Sequence, residues 1–396
     1  MPRRHDIDAL RALAFGGVIL YHLGMYYVAG WDWHLKSAHA AGWLQWPMRA
    51  LNLWRMDLVF LVSGVSLALL QRRQPGAAAL LRERSWRLLL PLAFGMAAVV
   101  PYQAYAQGVA KGLVAPGFGA FLLRYFSGGP WPAGAFDGAH VGITWNHLWF
   151  LPYLWLYTAL VLAAGPWLRS AAGRRLRAAF TGSRGVRLLL LPALPLLAWS
   201  LLLFPHFPPT RDLVGDLWLH AVYFTLFLYG WWIGLDAGFW AEARRLRRTS
   251  LGLALALLVL YLALRAGMRP AGPLRLLPRL AGDLYAWAML LAILGWACHA
   301  LDRPRPWLAW ASESVYPWYV LHQTLIILLA VQLAPWRLGP IAEPLLLLAG
   351  TVAGCWAATA VIRRSRWLRP LFGLKPQAAS AASMSPDSFS GLSRGA

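Results

Sequence analysis

Charged side chains, and acidic ones above all, are scarce in this chain. Asp, Glu, Lys and Arg make up 13% of its 396 residues, and only 15 residues are acidic. A soluble domain carries about 25% charged residues, so the composition excludes an ordinary soluble enzyme and leaves little room for an extra soluble domain. The two cysteines, Cys298 and Cys355, lie in apolar segments, where we expect small core residues and neither a disulfide nor a metal pair.

Apolar residues are correspondingly abundant in the chain. They make up 59% of the chain, and about ten apolar segments are long enough to cross a bilayer, which takes about 20 residues each. The sequence therefore predicts an all-α, polytopic membrane helix bundle. The first segment has no small-residue cleavage site, so we expect a retained helix and not a signal peptide. The predicted segments are 8–29, 50–71, 87–106, 145–165, 187–205, 217–239, 250–267, 280–301, 307–333 and 341–362.

The formal net charge of +22 comes mostly from arginine. In a soluble protein this excess would suggest nucleic acid. Here we expect it to mark loops that face anionic lipid, with no nucleic-acid partner. If the N-terminus is placed in the cytoplasm, the loops on that side hold more than twice as many Lys and Arg residues as the outer loops. The positive-inside rule therefore predicts that both termini are cytoplasmic.

Three stretches outside the apolar segments have unusual composition. The predicted outer loop 107–144 is rich in Gly, Pro and aromatic residues, which argues against regular structure there. The predicted outer loop 265–279 carries four arginines against the charge rule, so either it binds something anionic or the flanking segments are misplaced. Residues 376–396 are rich in Ser, Ala, Gly and Pro, which predicts a disordered cytoplasmic tail after a membrane domain over residues 1–375.

Two ionisable residues interrupt the first apolar segment at a spacing that places them on one helix face. Arg11 and His22 are eleven residues apart. At about 100° per residue they point in nearly the same direction, separated by roughly 16 Å along the axis. Asp8 falls near the same stripe. Ionisable side chains at membrane depth are costly, so this stripe is a candidate functional site.

Four later patterns also break the apolar background. They are Phe60-x-x-Ser63-Gly64, Arg84-x-x-Arg87-x-x-x-Pro91, His147-Leu148-Trp149-Phe150-Leu151 and Ser312-x-x-x-Tyr316-x-x-Tyr319-x-x-His322. Together with the Arg-then-ten-then-His spacing of the first helix, and in this order, they resemble the motifs of the acyltransferase-3 family of bacterial membrane acyltransferases. The pattern around His147 is most similar to the glucan-biosynthesis C-type branch, which succinylates periplasmic glucans.

The resemblance implies a multi-pass O-acyltransferase of the bacterial inner membrane, of the class that transfers acyl groups other than aminoacyl groups. Members of the family move an acyl group from cytoplasmic acyl-coenzyme A to a hydroxyl of a glycan or a related acceptor. The implied partners are therefore an acyl-CoA donor substrate, a glycan or other hydroxyl acceptor and the lipid bilayer, with no bound cofactor and no metal. The sequence leaves open the acyl group, the acceptor and the oligomeric state.

The candidate catalytic residues are His22, Arg11 and Asp57. A neutral imidazole at His22 can remove the proton of an acceptor hydroxyl, and a covalent acyl-His relay is the alternative. The planar fork of Arg11 suits donor phosphates, or it could pair with Asp8 or Asp57. Asp57 could orient His22 or neutralise an arginine.

Six further side chains are candidates for substrate binding. The two arginines of this set could contact the anionic coenzyme or merely follow the positive-inside rule. Both histidines and the tryptophan could line a cavity with His22 or bridge helices, and the tyrosine is implied by the family motif. We interpret Ser63-Gly64 as close helix packing in preference to a nucleophile. The six candidates are Arg84, Arg87, His147, Trp149, Tyr316 and His322.

Two other classes of function fit part of the same pattern. A transporter or flippase of an acylated or sugar-linked substrate would also place arginine and histidine within the membrane, without any chemistry. A membrane scaffold or sensor would tolerate substitution of both Arg11 and His22. Isotope transfer from donor to acceptor separates the enzyme from both rivals.

Overall fold

The computed structural model describes residues 4–73, 76–267, 274 and 276–376. Within those ranges the chain is helical, and the one β-type pairing is an isolated bridge between Val28 and Ala41. The predicted all-α class is confirmed. The predicted tail lies outside the described residues from residue 377 onward, and so does most of the loop between 268 and 275.

Sixteen α-helices and three short 3₁₀ turns make up the described fold. The turns are Gly42–Leu44, Asn146–Trp149 and Ala334–Trp336. The helices are α1 His5–Tyr27, α2 Gln45–Arg73, α3 Ala77–Ala98, α4 Pro101–Ala110, α5 Phe118–Phe126, α6 Phe150–Ala163, α7 Gly165–Leu168, α8 Ala171–Thr181, α9 Val186–Leu190, α10 Ala193–Leu202, α11 Leu217–Ile233, α12 Ala237–Gly267, α13 Leu277–Ala300, α14 Pro306–Leu333, α15 Gly339–Arg364 and α16 Leu368–Leu371.

Six described helices are long and apolar enough to cross a membrane: α1, α2, α12, α13, α14 and α15. Two bent pairs raise the number to eight if each pair is one span. The helices α3 and α4 meet at 40°, and α8 meets the α9–α10 stretch at 107°. Pro101 begins α4 and has no amide hydrogen to donate, which explains the first break. The chain is thus a multi-pass membrane protein, while ten spans and cytoplasmic termini stay predictions.

Three of the ten predicted segments differ most from a simple long helix. The segment predicted at 145–165 starts with the 3₁₀ turn, and α6 then runs for only 14 residues. The segment at 187–205 is interrupted between α9 and α10, where Pro192 stands just before α10. The segment at 217–239 is the 17-residue α11, which is short for a span. Hydropathy does not register such local breaks.

The predicted outer loop 107–144 is only partly irregular, contrary to the expectation from its Gly and Pro content. Residues 118–126 contain no proline and form α5. Phe121 and Tyr125 of this helix are buried in a small cluster of their own with Phe136 and Ala104. Aromatic packing therefore gives this stretch a fixed structure.

Close helix packing at Ser63-Gly64 is confirmed. A Cβ atom added at Gly64 would collide with the backbone carbonyl of Phe227 in α11, and one added at Gly230 would collide with the carbonyl of Leu61 in α2. The two glycines let the backbones of α2 and α11 touch. The Ser63 hydroxyl donates its one hydrogen to the Val59 carbonyl of its own helix.

The bundle has two distinct ends. At the end where α1 begins, which we call the arginine end, Arg87 donates to the Gly373 carbonyl and Glu313 pairs with Arg369. At the opposite end, which we call the loop end, the segment between α1 and α2 reaches the start of α15 through a hydrogen bond from Ser37 to Glu343. The candidate catalytic residues distribute between these two ends.

Candidate active site

A cavity of about 1200 Å³ lies at the loop end of the bundle. Its wall is made by residues of α1, α2, α11, α13 and α14 together with the loops around residues 31–34, 137–146 and 209–212. A pocket of about 300–1000 Å³ already encloses a drug-sized ligand, so this volume admits a substrate of several rings. His22, Asp57, His147 and Trp149 all line it.

His22 and His322 form a hydrogen-bonded pair on this wall. The Nδ1 atom of His22 lies 2.8 Å from Nε2 of His322, and the two rings are stacked with their centroids 5.0 Å apart. His322 is fully buried, and its Nδ1 lies 2.8 Å from the Tyr319 carbonyl oxygen. The sequence predicted both histidines as candidates, and the structure brings them together.

The partners of His322 fix the protons on both rings. A carbonyl oxygen can only accept, so Nδ1 of His322 carries a hydrogen and donates it to Tyr319. Nε2 of a neutral His322 is then an acceptor, and His22 donates to it from Nδ1. Nε2 of a neutral His22 is left with its lone pair. No hydrogen bond from elsewhere in the described chain occupies that atom, and half-buried His22 lines the cavity.

His147 lies beside this pair but both of its ring nitrogens are occupied. Nε2 lies 3.1 Å from the Tyr319 and Val320 carbonyl oxygens, to which it donates, and Nδ1 accepts from the side-chain amide of Gln103 at 3.3 Å. Its ring centroid is 6.3 Å from that of His22. Asn146 holds the turn before it in a left-handed conformation, with φ of 42°. His147 thus joins helices next to the site and has no free nitrogen for proton transfer.

Buried amide side chains extend the polar wall toward the loop end. Gln103 accepts from Gln323 at 3.0 Å, and Gln323 donates to Nε2 of His34 at 2.8 Å. His34 in turn donates from Nδ1 to Gln107 at 2.7 Å. Sequence reasoning did not select the three glutamines, although Gln103 and Gln107 share one face of α4 at a four-residue spacing, which was the available signal.

Burial lowers the pKa of His34, which lies in the loop after α1. The nearby carboxylate of Asp137 opposes this shift by favouring the charged ring, but burial is the larger effect. Neutral His34 fits its two hydrogen bonds, because one nitrogen donates and the other accepts. The loop therefore contacts the amide array in its neutral form.

Asp57 lines the cavity but does not contact His22, whose Nδ1 is held by His322. Its side chain is buried and interacts electrostatically with Asp283 across the cavity. No ion pair joins Asp57 to an arginine in the described ranges. Trp149 also lies in this wall, stacked on Tyr223 with ring centroids 5.9 Å apart.

The four remaining candidates lie at the arginine end and not in the cavity. Arg11 forms an ion pair with Asp8 at 3.4 Å, which is one of the pairings expected for it. Arg84 is buried, and its Nε atom has no hydrogen-bond partner in the part of the chain described. Its charge interacts with Arg11, Arg87 and Tyr316. The three arginines form a basic group, whose member Arg11 is separated from His22 by roughly 16 Å along α1.

The cysteines and the acidic residues add no further centre. Cys355 is buried, Cys298 is partly buried, and both are free thiols. Among the residues that the structure describes, no group of three or more His, Cys, Asp or Glu side chains is placed to hold a metal ion. The chemistry available at the cavity is therefore that of an imidazole pair, carboxylates and arginines.

Comparison with known proteins places this arrangement in a family. The model of a family described as an acyltransferase domain matches residues 4–360 of the chain. No curated protein and no solved structure matched the chain. The match includes every residue of the His22 pair, the amide array and the basic group at the arginine end.

Proposed function

The chain belongs to the acyltransferase-3 family, and on that premise we propose that it moves an acyl group from acyl-coenzyme A to a hydroxyl of an envelope glycan or a similar acceptor. The acceptor enters the cavity at the loop end, and the donor binds at the arginine end, on the cytoplasmic side of a bacterial inner membrane. The resemblance around His147 further suggests the glucan-modifying branch as the source of the acceptor. The single observation that carries the mechanism is the hydrogen-bonded His22–His322 pair beside the cavity.

In the proposed reaction, the oxygen of the acceptor hydroxyl attacks the thioester carbonyl carbon while Nε2 of His22 takes the hydroxyl proton. The carbon–sulfur bond then breaks, the new ester remains on the acceptor, and the coenzyme thiolate leaves. The proton held by His22 neutralises the thiolate. General base catalysis of this kind contributes about 10²–10⁴-fold in rate.

His322 acts in this proposal as a positioning residue. By accepting the Nδ1 hydrogen of His22, it holds the imidazole in the tautomer whose Nε2 is unprotonated. It also stabilises the imidazolium that His22 becomes during attack, because the Nδ1–H bond strengthens when the ring is charged. The Tyr319 carbonyl fixes His322 in turn.

The donor side of the proposal rests on the basic group at the arginine end. Arg84 is a buried cation with an unused donor nitrogen, and Arg87 is beside it. Guanidinium groups bind phosphates well because their planar donors match phosphate oxygens. Arg11 and His22 are separated by roughly 16 Å along α1, and the flexible thiol arm of the coenzyme has to cover this distance.

The test is transfer of label from acyl-coenzyme A to envelope glycans in membranes that contain the wild-type chain, the His22→Ala variant or no copy of the protein. We expect a fixed mass increase on the glycans with the wild-type chain only, at equal membrane abundance of the variant. His299→Ala is the matched control, since His299 is exposed near the end of α13 and neither it nor its neighbours line the cavity. Normal transfer by His22→Ala would contradict the role of His22 as the base. Movement of the substrate across the membrane without a new ester would favour a transporter.

A further inference from the structure

Arg55 of α2 is a buried cation of the cavity wall that neither the motifs nor the proposed reaction uses. Its side chain is 8% exposed and lines the cavity. The guanidinium carbon lies 3.6 Å from the ring centroid of Tyr21, the residue next to His22. Arg55 is close enough to His22 and His322 to act on both electrostatically.

The hydrogen-bonding capacity of Arg55 is mostly unused. One terminal nitrogen donates to the Asn52 side chain at 3.3 Å, and its Nε atom is buried without a partner in the described chain. No described carboxylate lies within ion-pair distance of it, whereas Arg4 pairs with Asp6 at 2.6 Å and Arg369 with Glu313 at 2.9 Å. A guanidinium has five donor hydrogens, so most of those on Arg55 have no acceptor among the described residues.

The nearest acidic residue along the chain does not resolve this imbalance. Asp57 is two residues further on the same helix, and residues at that spacing do not face each other. Burial of a charge without a carboxylate partner is costly, and an anionic group of a ligand in the cavity would offset that cost. A second cation, Arg211, lies on the same side of the cavity with its guanidinium 6.0 Å from the ring of Trp149, and it interacts with Arg55. The local field therefore favours an anion.

We propose that Arg55 binds a carboxylate or phosphate group of the substrate in the cavity, beside His22, so that the enzyme selects a substrate with a fixed negative charge. This inference rests on the proposed function and names its substrate class. The planar donor fork of arginine matches both groups bidentately, which a single ammonium does not. The charge has two possible sources, the far end of a dicarboxylic acyl group and the acceptor itself.

Binding is measured first, without any reaction, on the full-length purified chain. The melting temperature is followed at constant ionic strength with increasing succinate, inorganic phosphate or uncharged succinamide. An anion that binds the folded state raises the melting temperature, and above the dissociation constant the rise follows the logarithm of the anion concentration. We expect this for wild type with succinate or phosphate, and we expect Arg55→Gln to weaken the affinity at least about tenfold. Arg72→Gln, an exposed arginine on the same helix, is the matched control and keeps the wild-type shift.

Arg55→Lys separates recognition from folding. It keeps the charge and loses the fork, so we expect it to bind the anion more weakly than wild type and more tightly than Arg55→Gln. If Arg55→Gln does not fold, an unchanged affinity in Arg55→Lys contradicts bidentate binding. An unaltered shift in Arg55→Gln, or a wild-type shift with succinate and phosphate no larger than the shift with succinamide, overturns the proposal.

Transfer assays then identify the source of the charge. Wild type is given succinyl-coenzyme A or butyryl-coenzyme A, which differ in the terminal carboxylate, with a neutral gluco-oligosaccharide or its phosphate ester as acceptor. If wild type prefers succinyl-coenzyme A and Arg55→Gln loses that preference, the charge belongs to the acyl group. If wild type prefers the phosphate ester and Arg55→Gln loses that preference, the charge belongs to the acceptor. Absence of transfer from every donor would contradict the proposed function, while the anion affinities would still decide the role of Arg55.

Discussion

His22 and His322 are 300 positions apart in the chain and 2.8 Å apart in space, with their rings stacked nearly parallel. Because His322 gives its own hydrogen to the Tyr319 carbonyl, it has only an acceptor left for His22. The pair thus determines which nitrogen of His22 faces the cavity unprotonated. In the proposed mechanism, His322 has the orienting role that a carboxylate has in many hydrolases.

Substitution of His322 tests this orienting role. We expect His322→Ala to lower kcat by about 10–100-fold, the loss typical when the hydrogen-bond partner of a metal-ligating histidine is removed, with little change in KM for the donor. His322→Gln retains an acceptor oxygen and should recover part of the loss. Steady-state kinetics on purified protein of equal melting temperature checks both variants. Equal activity of His322→Ala and wild type would contradict the role.

Arg84 is expected to affect donor binding and not the chemical step. Its buried guanidinium has an unused nitrogen at the arginine end, so Arg84→Ala should raise KM for acyl-coenzyme A about tenfold or more while kcat changes less. Arg82→Ala on the same helix is the control, because Arg82 is exposed. If the two variants had the same KM for acyl-coenzyme A, Arg84 would not bind the donor, and the positive-inside rule alone would explain the basic group.

The contact between α2 and α11 leaves no space for a side chain at Gly230. Gly230→Ala forces a methyl group against the Leu61 carbonyl, and overpacking of this kind costs about 1–3 kcal/mol. We expect a lower melting temperature and lower membrane abundance. Gly252→Ala in α12 is the control, since a Cβ atom there meets nothing within 4 Å. A stable Gly230→Ala variant would show that the two helices separate readily.

We expect the stability of the folded protein to fall in acid because of His34, which lies in the loop after α1. Burial lowers the pKa of this residue below its ordinary value of 6.5 in the folded state, so the unfolded state binds the proton more readily. Stability is therefore complete above pH 6.5 and falls as the pH decreases from there toward the folded-state pKa. Melting temperatures between pH 7.5 and 5 measure the effect, which should be smaller in His34→Gln. An identical pH dependence in the two proteins would exclude His34 as its cause.

Local periodicity predicted part of this site and could not predict the rest. The spacing of Arg11 and His22 correctly placed both on one helix, because that relationship depends on helix geometry alone. It also gave their separation of roughly 16 Å along the axis, but it did not show that His22 meets His322 of α14. Pairing across 300 positions depends on how α1 packs against α14, which a single sequence does not contain.

Hydropathy also did not predict the local conformation of the backbone. The apolar content of residues 145–165 predicted one span, yet Asn146 adopts a left-handed conformation and a 3₁₀ turn precedes α6. That turn brings His147 to the backbone of α14. Arg55 was visible as a charge in an apolar segment, but its lack of a carboxylate partner is a property of the folded chain.

The His22–His322 pair belongs to two long helices, whereas the loops around residues 31–34, 137–146 and 209–212 form much of the rest of the cavity wall. Loops accept insertions and replacements far more readily than packed helices do. In the proposed reaction, the imidazole pair and the recognition of the acceptor therefore belong to separate parts of the chain. Substitutions in these loops can alter the cavity wall while the two helices that carry His22 and His322 keep their packing.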